Sequence, residues 1–216
     1  MEQQPLVPYP LLKRLTDKLI ALILILLFSP VFLFVFMGMV INMLLCPRDQ
    51  GDFFYREKRI TQGREFEVLK FRVLQQQVIL QAQNEGKSAR KYENEEANLT
   101  WSGRHLLKKW YFDELPQLFN IMKGDMSLVG PRPWSVAEVN QQIQQGVVYR
   151  QLILAGWTGP TQVGVKGEAL QAGGAAIDMQ YLDDCRTKSS WQMWLYDMNI
   201  LWRTTKIMLM GKGLQY

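Results

Sequence analysis

Histidine and cysteine are scarce in this 216-residue chain, which holds one histidine, His105, and two cysteines, Cys46 and Cys185. With a single imidazole and no CxxC pair, a zinc site is poorly supplied with ligands. Two cysteines so distant in sequence exclude a disulfide framework and suit a reducing compartment. Charge of one sign is also never massed. Lys and Arg number 25 against 20 for Asp and Glu, a formal +5, but they are scattered, which disfavours nucleic acid as a partner. A membrane surface or a nucleotide remains as the anionic partner that a modest basic excess suits. The length allows one domain of ordinary size plus an appendage.

Between Leu19 and Leu45 charge is missing altogether. That exceeds the roughly 20 residues needed to cross a hydrocarbon core. A cleaved signal peptide does not fit, because the run is too long and no small-residue cleavage site follows. Two readings compete: a single spanning helix, or a re-entrant helix–break–helix that enters one leaflet and returns. Ser29-Pro30 lies within the run, and proline removes a helical hydrogen bond and kinks the chain. Lys13, Arg14 and Lys18 precede the run, and Arg48, Arg56, Lys58 and Arg59 follow it. Cations on both flanks are awkward for a one-way span and natural if both ends stay cytoplasmic.

Past the run, Phe53-Phe54-Tyr55 and Phe66, Val68, Leu69 flank a polar segment around Gly63, which predicts a hairpin or two short strands. Lys70-Phe71-Arg72 follows, two cations around an aromatic that suit phosphates or anionic headgroups, or simply a solvated strand end. A helix is expected over about Val73–Gln83, then a polar loop or lid to Leu99.

The centre of the chain is Phe112–Pro133. It opens with adjacent carboxylates, Asp113 and Glu114, and closes with Arg132 between Pro131 and Pro133. Leu115, Leu118, Phe119, Ile121 and Met122 give a short helix its apolar face. Gly124-Asp125 ends it, and Ser127-Leu128-Val129 is extended. Lys108 and Lys109 add positive charge near the acidic pair. Carboxylates at one end and a stiffly held guanidinium at the other suit a site for a phosphoryl group and a divalent cation. A capped surface helix followed by a proline turn would leave the same local signature. Further on, a helix is expected over Val136–Tyr149. Gly156, Gly159, Gly164, Gly167, Gly173 and Gly174 mark a loop-rich region, and another helix begins within Asp178–Asp184, with Tyr181 and Asp183 as further site candidates. The last segment sets Trp191, Trp194, Leu195, Met198, Leu201, Trp202 and Met208 in one helical stripe. That stripe suits core packing, or an interfacial helix with Arg203, Lys206 and Lys212 nearby.

Asp113-Glu114-Leu115-Pro116-Gln117, Asn120, Lys123-Gly124-Asp125-Met126-Ser127 and Gly130-Pro131-Arg132-Pro133 closely resemble the bacterial sugar transferase family, the monotopic polyprenyl-phosphate phosphoglycosyl transferases. Lys13-Arg14 through Asp17 with Ser29-Pro30 resembles its N-terminus. Gly51, Phe54, Arg56, Arg59, Gly63, Phe66 and Lys70-Phe71-Arg72, then Gly156, Thr158-Gly159 and Gln162-Val163, resemble later blocks. The resemblance covers about residues 13 to 208.

It implies a mostly helical α/β membrane-associated domain: a tail over 1–12, a re-entrant helix over 13–47 broken at Ser29-Pro30, and a cytoplasmic domain over 48–216 with a short β-hairpin and amphipathic interfacial helices. It implies transfer of a phosphosugar from a UDP-sugar to undecaprenyl phosphate at the bacterial inner membrane, with UMP released and a lipid-linked glycan begun. Asp113 matches the family nucleophile, which forms a covalent phosphosugar intermediate. Mg²⁺ is implied, held by Asp113 or Glu114. Arg132, with Pro131 and Pro133, would clamp the transferred phosphate, and Lys70, Arg72 and Lys108 are further substrate-binding candidates. Membrane lipid is an implied partner, and a homodimer is left open. An inactive or partner-dependent scaffold of a polysaccharide assembly complex is the alternative, and a single-span enzyme of other chemistry a third.

The chain departs from the family pattern in places. Lys108 stands where arginine is usual, Tyr111 where a small hydroxyl residue is, and Val73 replaces a hydroxyl residue. Glu57 and Thr61 replace glutamine and glycine. Leu154-Ala155-Gly156-Trp157 replaces Arg-Pro-Gly-Ile/Leu, and Pro160-Thr161 also differs. These leave the sugar unassigned.

Overall fold

The computed structural model describes residues 5–164 and 174–210. Gly167, Gly173 and Lys212 lie outside the described residues. The helices are α1 (Leu11–Leu27), α2 (Ser29–Leu45), α3 (Gln76–Asn84), α4 (Lys108–Trp110), α5 (Gln117–Lys123), α6 (Val136–Gln144), α7 (Gly174–Thr187) and α8 (Ser190–Leu209). The strands are β1 (Phe54–Thr61), β2 (Arg64–Phe71), β3 (Ser127–Val129) and β4 (Gly156–Thr158). The expected mostly helical α/β class and short hairpin are present. Two compact units divide the chain: Met1–Ala21, Lys58–Phe66 and Ile121–Tyr216 form one, and Leu22–Glu57 and Glu67–Asn120 the other.

The break in the apolar run has a local cause. Pro30 has no N–H to give the Leu26 carbonyl four residues back. The Ser29 hydroxyl donates to that carbonyl at 2.8 Å instead, as serine can when it bonds back along a helix. No single described helix is long and apolar enough to cross a membrane, but α1 and α2 together are, bent by 56° at this break. On α2, Leu33, Phe34, Met37, Ile41, Leu44 and Leu45 are all exposed, an apolar surface too large to suit water.

β1 and β2 pair as a hairpin. Its two-residue turn, Gln62-Gly63, has positive φ at both positions, 47° and 74°, the tight hairpin geometry that favours glycine. In the unit of Leu22–Glu57 and Glu67–Asn120, the core gathers Val35, Met39, Phe71, Val73, Leu74, Ile79 and Leu107. Asn42, buried near the end of α2, donates to Asp49 and accepts from the Ser102 N–H, both at 3.0 Å. The helix over Val73–Gln83 begins later than expected, at Gln76, because Val73 and Leu74 are extended and pair with Thr100 and Leu99.

In the other unit, β3 and β4 form a parallel pair, Ser127 opposite Gly156 and Val129 opposite Thr158. No sequence signal announces that long-range pairing. Glycine is required at its edge, since a Cβ on Gly156 would lie 2.1 Å from the Gly130 nitrogen. The N-terminal turns of α1 are tied down by polar contacts. Asp17 is buried and accepts from Tyr9 at 2.8 Å and Ser127 at 2.6 Å, and Lys13 pairs with Asp197. On α8, Trp191, Leu195, Trp202 and Met208 of the stripe are exposed, Trp194, Met198 and Leu201 are half-buried, and Met193, Asp197, Ile200 and Thr204 face inward. The stripe therefore serves both sides: Trp194 donates to the Thr16 hydroxyl at 3.1 Å, while Trp191 and Trp202 are exposed. α6 ends at Gln144, short of the expected Tyr149, where a separate turn Tyr149–Gln151 begins.

Two departures from the family pattern meet in this unit. Thr61 is fully buried, and its hydroxyl accepts from the Ala155 N–H at 3.0 Å. A proline at 155 would have no N–H to satisfy, and a glycine at 61 no hydroxyl to offer. Each substitution supplies what the other needs.

Candidate active site

Asp113 and Glu114 sit in a short turn, Phe112–Glu114, reached by an abrupt change of direction. α4 stops at Tyr111, which takes a left-handed conformation with φ 57°. That costs a side chain with Cβ roughly 1–2 kcal/mol. Leu115, Leu118 and Ile121 then anchor the following helical turns in the interior. Asn120 links this segment to β2: it donates to the Glu67 carbonyl at 2.8 Å and accepts from the Leu69 N–H at 2.9 Å. Lys70, one residue further along β2, is thereby brought to the acidic pair.

Asp113 is only 2% exposed, and its Oδ1 has no hydrogen-bond partner among the described residues. Burial pushes its pKa up to about 6; Lys70 and Lys108 oppose the shift, and Glu114 and Glu93 add to it. Glu114 accepts from the Lys70 ammonium at 2.9 Å, a nearly buried ion pair. Lys108 is paired with Glu93. Burial works against the Lys108 charge, but Glu93, Asp113 and Glu114 outweigh it and raise its pKa. Glu93 comes from the polar loop that gave no sequence signal for a partner, and only folding brings it to Lys108.

A carboxylate that ionises near pH 6 is more basic than an ordinary one and still charged at neutral pH, a useful combination for a nucleophile or base. Among the described residues no three His, Cys, Asp or Glu side chains gather as a metal cage. The acidic pair alone supplies hard oxygen donors, and a buried Asp113 oxygen without a partner fits a hard cation that is otherwise held by water and substrate oxygens.

Arg72 corrects the expectation of a substrate contact. It is 1% exposed, and its guanidinium donates to the carbonyls of Asp52, Leu74 and Asp49 at 2.5, 2.8 and 2.6 Å. Its donors are committed to closing the loop before β1 onto the end of β2. Tyr181 is likewise structural, donating to Asp197 at 2.7 Å in the interior, and Asp183 is exposed.

In the other unit the Gly130–Pro133 segment is held at every residue. The Gly130 N–H donates to Thr158 at 2.9 Å, and the Pro131 carbonyl accepts from Gly156 at 2.8 Å. Arg150 Nε reaches the Arg132 carbonyl at 3.3 Å, and Arg59 reaches the Pro133 carbonyl at 3.4 Å. Pro131 and Pro133 are buried while Arg132 is half-buried. The backbone that carries Arg132 is pinned, so binding an anion there would cost the backbone little further freedom.

The sequence pattern of the bacterial sugar transferases matches residues 8–211. The UDP-N-acetylgalactosamine-undecaprenyl-phosphate N-acetylgalactosaminephosphotransferase of Aeromonas hydrophila is 32% identical over 208 residues, 95% of this chain and 45% of that protein. Exopolysaccharide production protein ExoY of Rhizobium meliloti is 32% identical over 212 residues, 93% of this chain and 87% of that one. Undecaprenyl-phosphate galactose phosphotransferase of Salmonella typhimurium is 30% identical over 213 residues, 94% and 41%. The chain thus spans less than half the length of the first and third of these relatives and most of the second.

Proposed function

This chain belongs to the bacterial sugar transferase family, and on that footing we propose that it transfers a phosphosugar from a UDP-sugar to undecaprenyl phosphate, starting a lipid-linked glycan for a surface polysaccharide. The relatives named above, two undecaprenyl-phosphate phosphotransferases and an exopolysaccharide production protein, support that substrate pair. The observation that carries the reading is Asp113: buried, ionising near pH 6, and with one oxygen free of hydrogen bonds.

In this reading an Asp113 oxygen attacks the β-phosphorus of the UDP-sugar. The bond from that phosphorus to the bridging oxygen breaks, and UMP leaves with the electron pair. The phosphosugar is then joined to Asp113 as an acyl phosphate. A phosphate oxygen of undecaprenyl phosphate attacks the same phosphorus, the aspartyl oxygen leaves, and the carboxylate is restored. Splitting one transfer into two displacements is the usual gain of a covalent nucleophile. Lys70 holds Glu114 and contributes positive charge beside Asp113. Arg132, in its pinned segment, is assigned the transferred phosphate, for which a guanidinium offers two parallel donors. Asp113 or Glu114 would hold Mg²⁺, which would supply charge neutralisation for the diphosphate.

The exposed apolar faces of α1 and α2, their 56° bend and the cations on both flanks support insertion as a re-entrant pair, with the catalytic residues on the cytoplasmic face of the inner membrane. The outward tryptophans of α8 suit an interfacial position. The test is UMP release from a panel of UDP-sugars with undecaprenyl phosphate and Mg²⁺, wild type against Asp113→Asn. Release by the wild type alone is expected. Equal release by both removes Asp113 as nucleophile, and no release with any sugar favours a scaffold. Cysteine labelling before Lys13 and after Arg48, in a chain lacking Cys46 and Cys185, is expected to mark the same side of the membrane. Opposite sides would overturn the re-entrant reading.

A further inference from the structure

Arg150 has no part in the chemistry above, yet it is one of the most elaborately held side chains in its unit. It is 6% exposed, in a turn that follows α6. Its Nη1 donates to Gln142 Oε1 at 2.7 Å, and its Nη2 meets Asp178 Oδ2 at 3.4 Å. Asp178, on α7, is itself fixed. It accepts from the Tyr149 hydroxyl at 3.0 Å and from the Thr161 hydroxyl at 2.6 Å. Burying a guanidinium is expensive unless its donors find partners, and here each of its three nitrogens has one, from three separate elements.

What this side chain touches is the proline-flanked segment. Its Nε donates to the Arg132 carbonyl at 3.3 Å, and its guanidinium carbon lies 3.9 Å above the centre of the Trp134 ring. It therefore grips the backbone of Arg132 and sits over the ring of the residue that follows Pro133. Lysine could keep the charge at 150 but not the planar fork, nor the same stacking on the indole.

We propose that Arg150 is a positioning residue for Arg132: braced by Asp178 and Gln142, it sets the height and angle of the Pro131–Pro133 segment so that the Arg132 guanidinium meets phosphate in register. The inference rests on the reading of Arg132 as the phosphate clamp. Asp178 is the strut, because it ties Arg150 to Tyr149 and to the Thr161 loop at once. A misplacement of about 1 Å in a positioned group can cost about a hundredfold in rate, so loss of the fork should act through Arg132 even with the fold intact.

A double-mutant cycle on the full-length protein separates positioning from general loss of structure, because residues acting through one another are not additive. The cycle comprises wild type, Arg150→Lys, Arg132→Ala and the double variant. It is read as UMP release and, independently of turnover, as affinity for UDP with Mg²⁺. Arg150→Lys is expected to lower kcat about 10- to 100-fold and to weaken UDP binding in the wild-type background. In the Arg132→Ala background it should change neither by more than about twofold. Gln142→Leu, which removes one brace at a half-buried position, repeats the cycle with milder effects if Arg150→Lys does not fold. Equal losses in both backgrounds, or no loss in the wild type, would overturn the proposal. If Arg132→Ala alone alters neither readout, the clamp assignment fails and the positioning role with it, whereas UMP release by Asp113 variants would still test the transferase reading separately.

Discussion

Replacing the Asp113 carboxyl with an amide is expected to stabilise the protein at neutral pH while removing turnover. An unfolded aspartate titrates near 3.8, and burial pushes the folded one up to about 6. Between those values the folded state holds a proton that the unfolded state has lost. Stability from that proton is fully present below about pH 4 and is lost as pH rises through about 6. Above that range the native protein carries a buried charge at a cost of about 3 kcal/mol, from roughly two units at 1.36 kcal/mol each. Asp113→Asn keeps the shape and removes the charge, so the difference from wild type should be near zero at about pH 4, grow across about pH 4–6, and level off at about 3 kcal/mol. For a chain of this size that corresponds to a melting shift of about 6–12 °C. The assay is thermal unfolding in detergent or nanodiscs against pH, with chelator present so that a bound cation does not offset the charge. An Asn variant no more stable than wild type at about pH 7.5, with the same pH slope, would refute the reasoning that desolvation dominates at Asp113.

The same shift should appear in catalysis: kcat/KM for the UDP-sugar is expected to rise with pH along an ascending limb near 6, and a limb near 4 would mean that Asp113 is not the group read by the reaction. Thr61→Gly is expected to cost about 1–3 kcal/mol by leaving the buried Ala155 N–H without its acceptor; adding Ala155→Pro should recover most of that, and additive losses in denaturant unfolding would contradict the pairing. Arg72→Gln should lower stability by on the order of 3 kcal/mol, since three charge-assisted bonds to carbonyls are lost, while the folded fraction keeps its KM for the UDP-sugar; a stable variant with raised KM would return Arg72 to the substrate site.

Much of the fold was legible because its causes are local. Ser29-Pro30 forces a break wherever it lies in a helix, since the missing N–H and the serine hydroxyl both act on the turn just before them. Gln62-Gly63 between β-prone clusters predicts a hairpin for a similarly short-range reason. The stripe of α8 was legible as a stripe, but not which of its residues stay exposed, because periodicity does not say which side meets the core. The place of Arg72 was not legible, because a cation after a strand looks alike whether it faces a phosphate or three carbonyls. Those carbonyls belong to residues up to 23 positions away.

The sequence by itself determined the chemical inventory: an acidic pair in a short turn, an arginine between two prolines, and an apolar run broken at one place. Tertiary structure alone decided what those groups are worth. Lys70 meets Glu114 across 44 residues, and Arg150 reaches beneath Arg132 from a turn beyond the next helix. The raised pKa of Asp113 depends on burial, opposed by Lys70 and Lys108 from elsewhere in the chain. Desolvation and ion pairing are set by distance in space rather than along the chain, so a motif can name a candidate carboxylate, but only the fold can tune it.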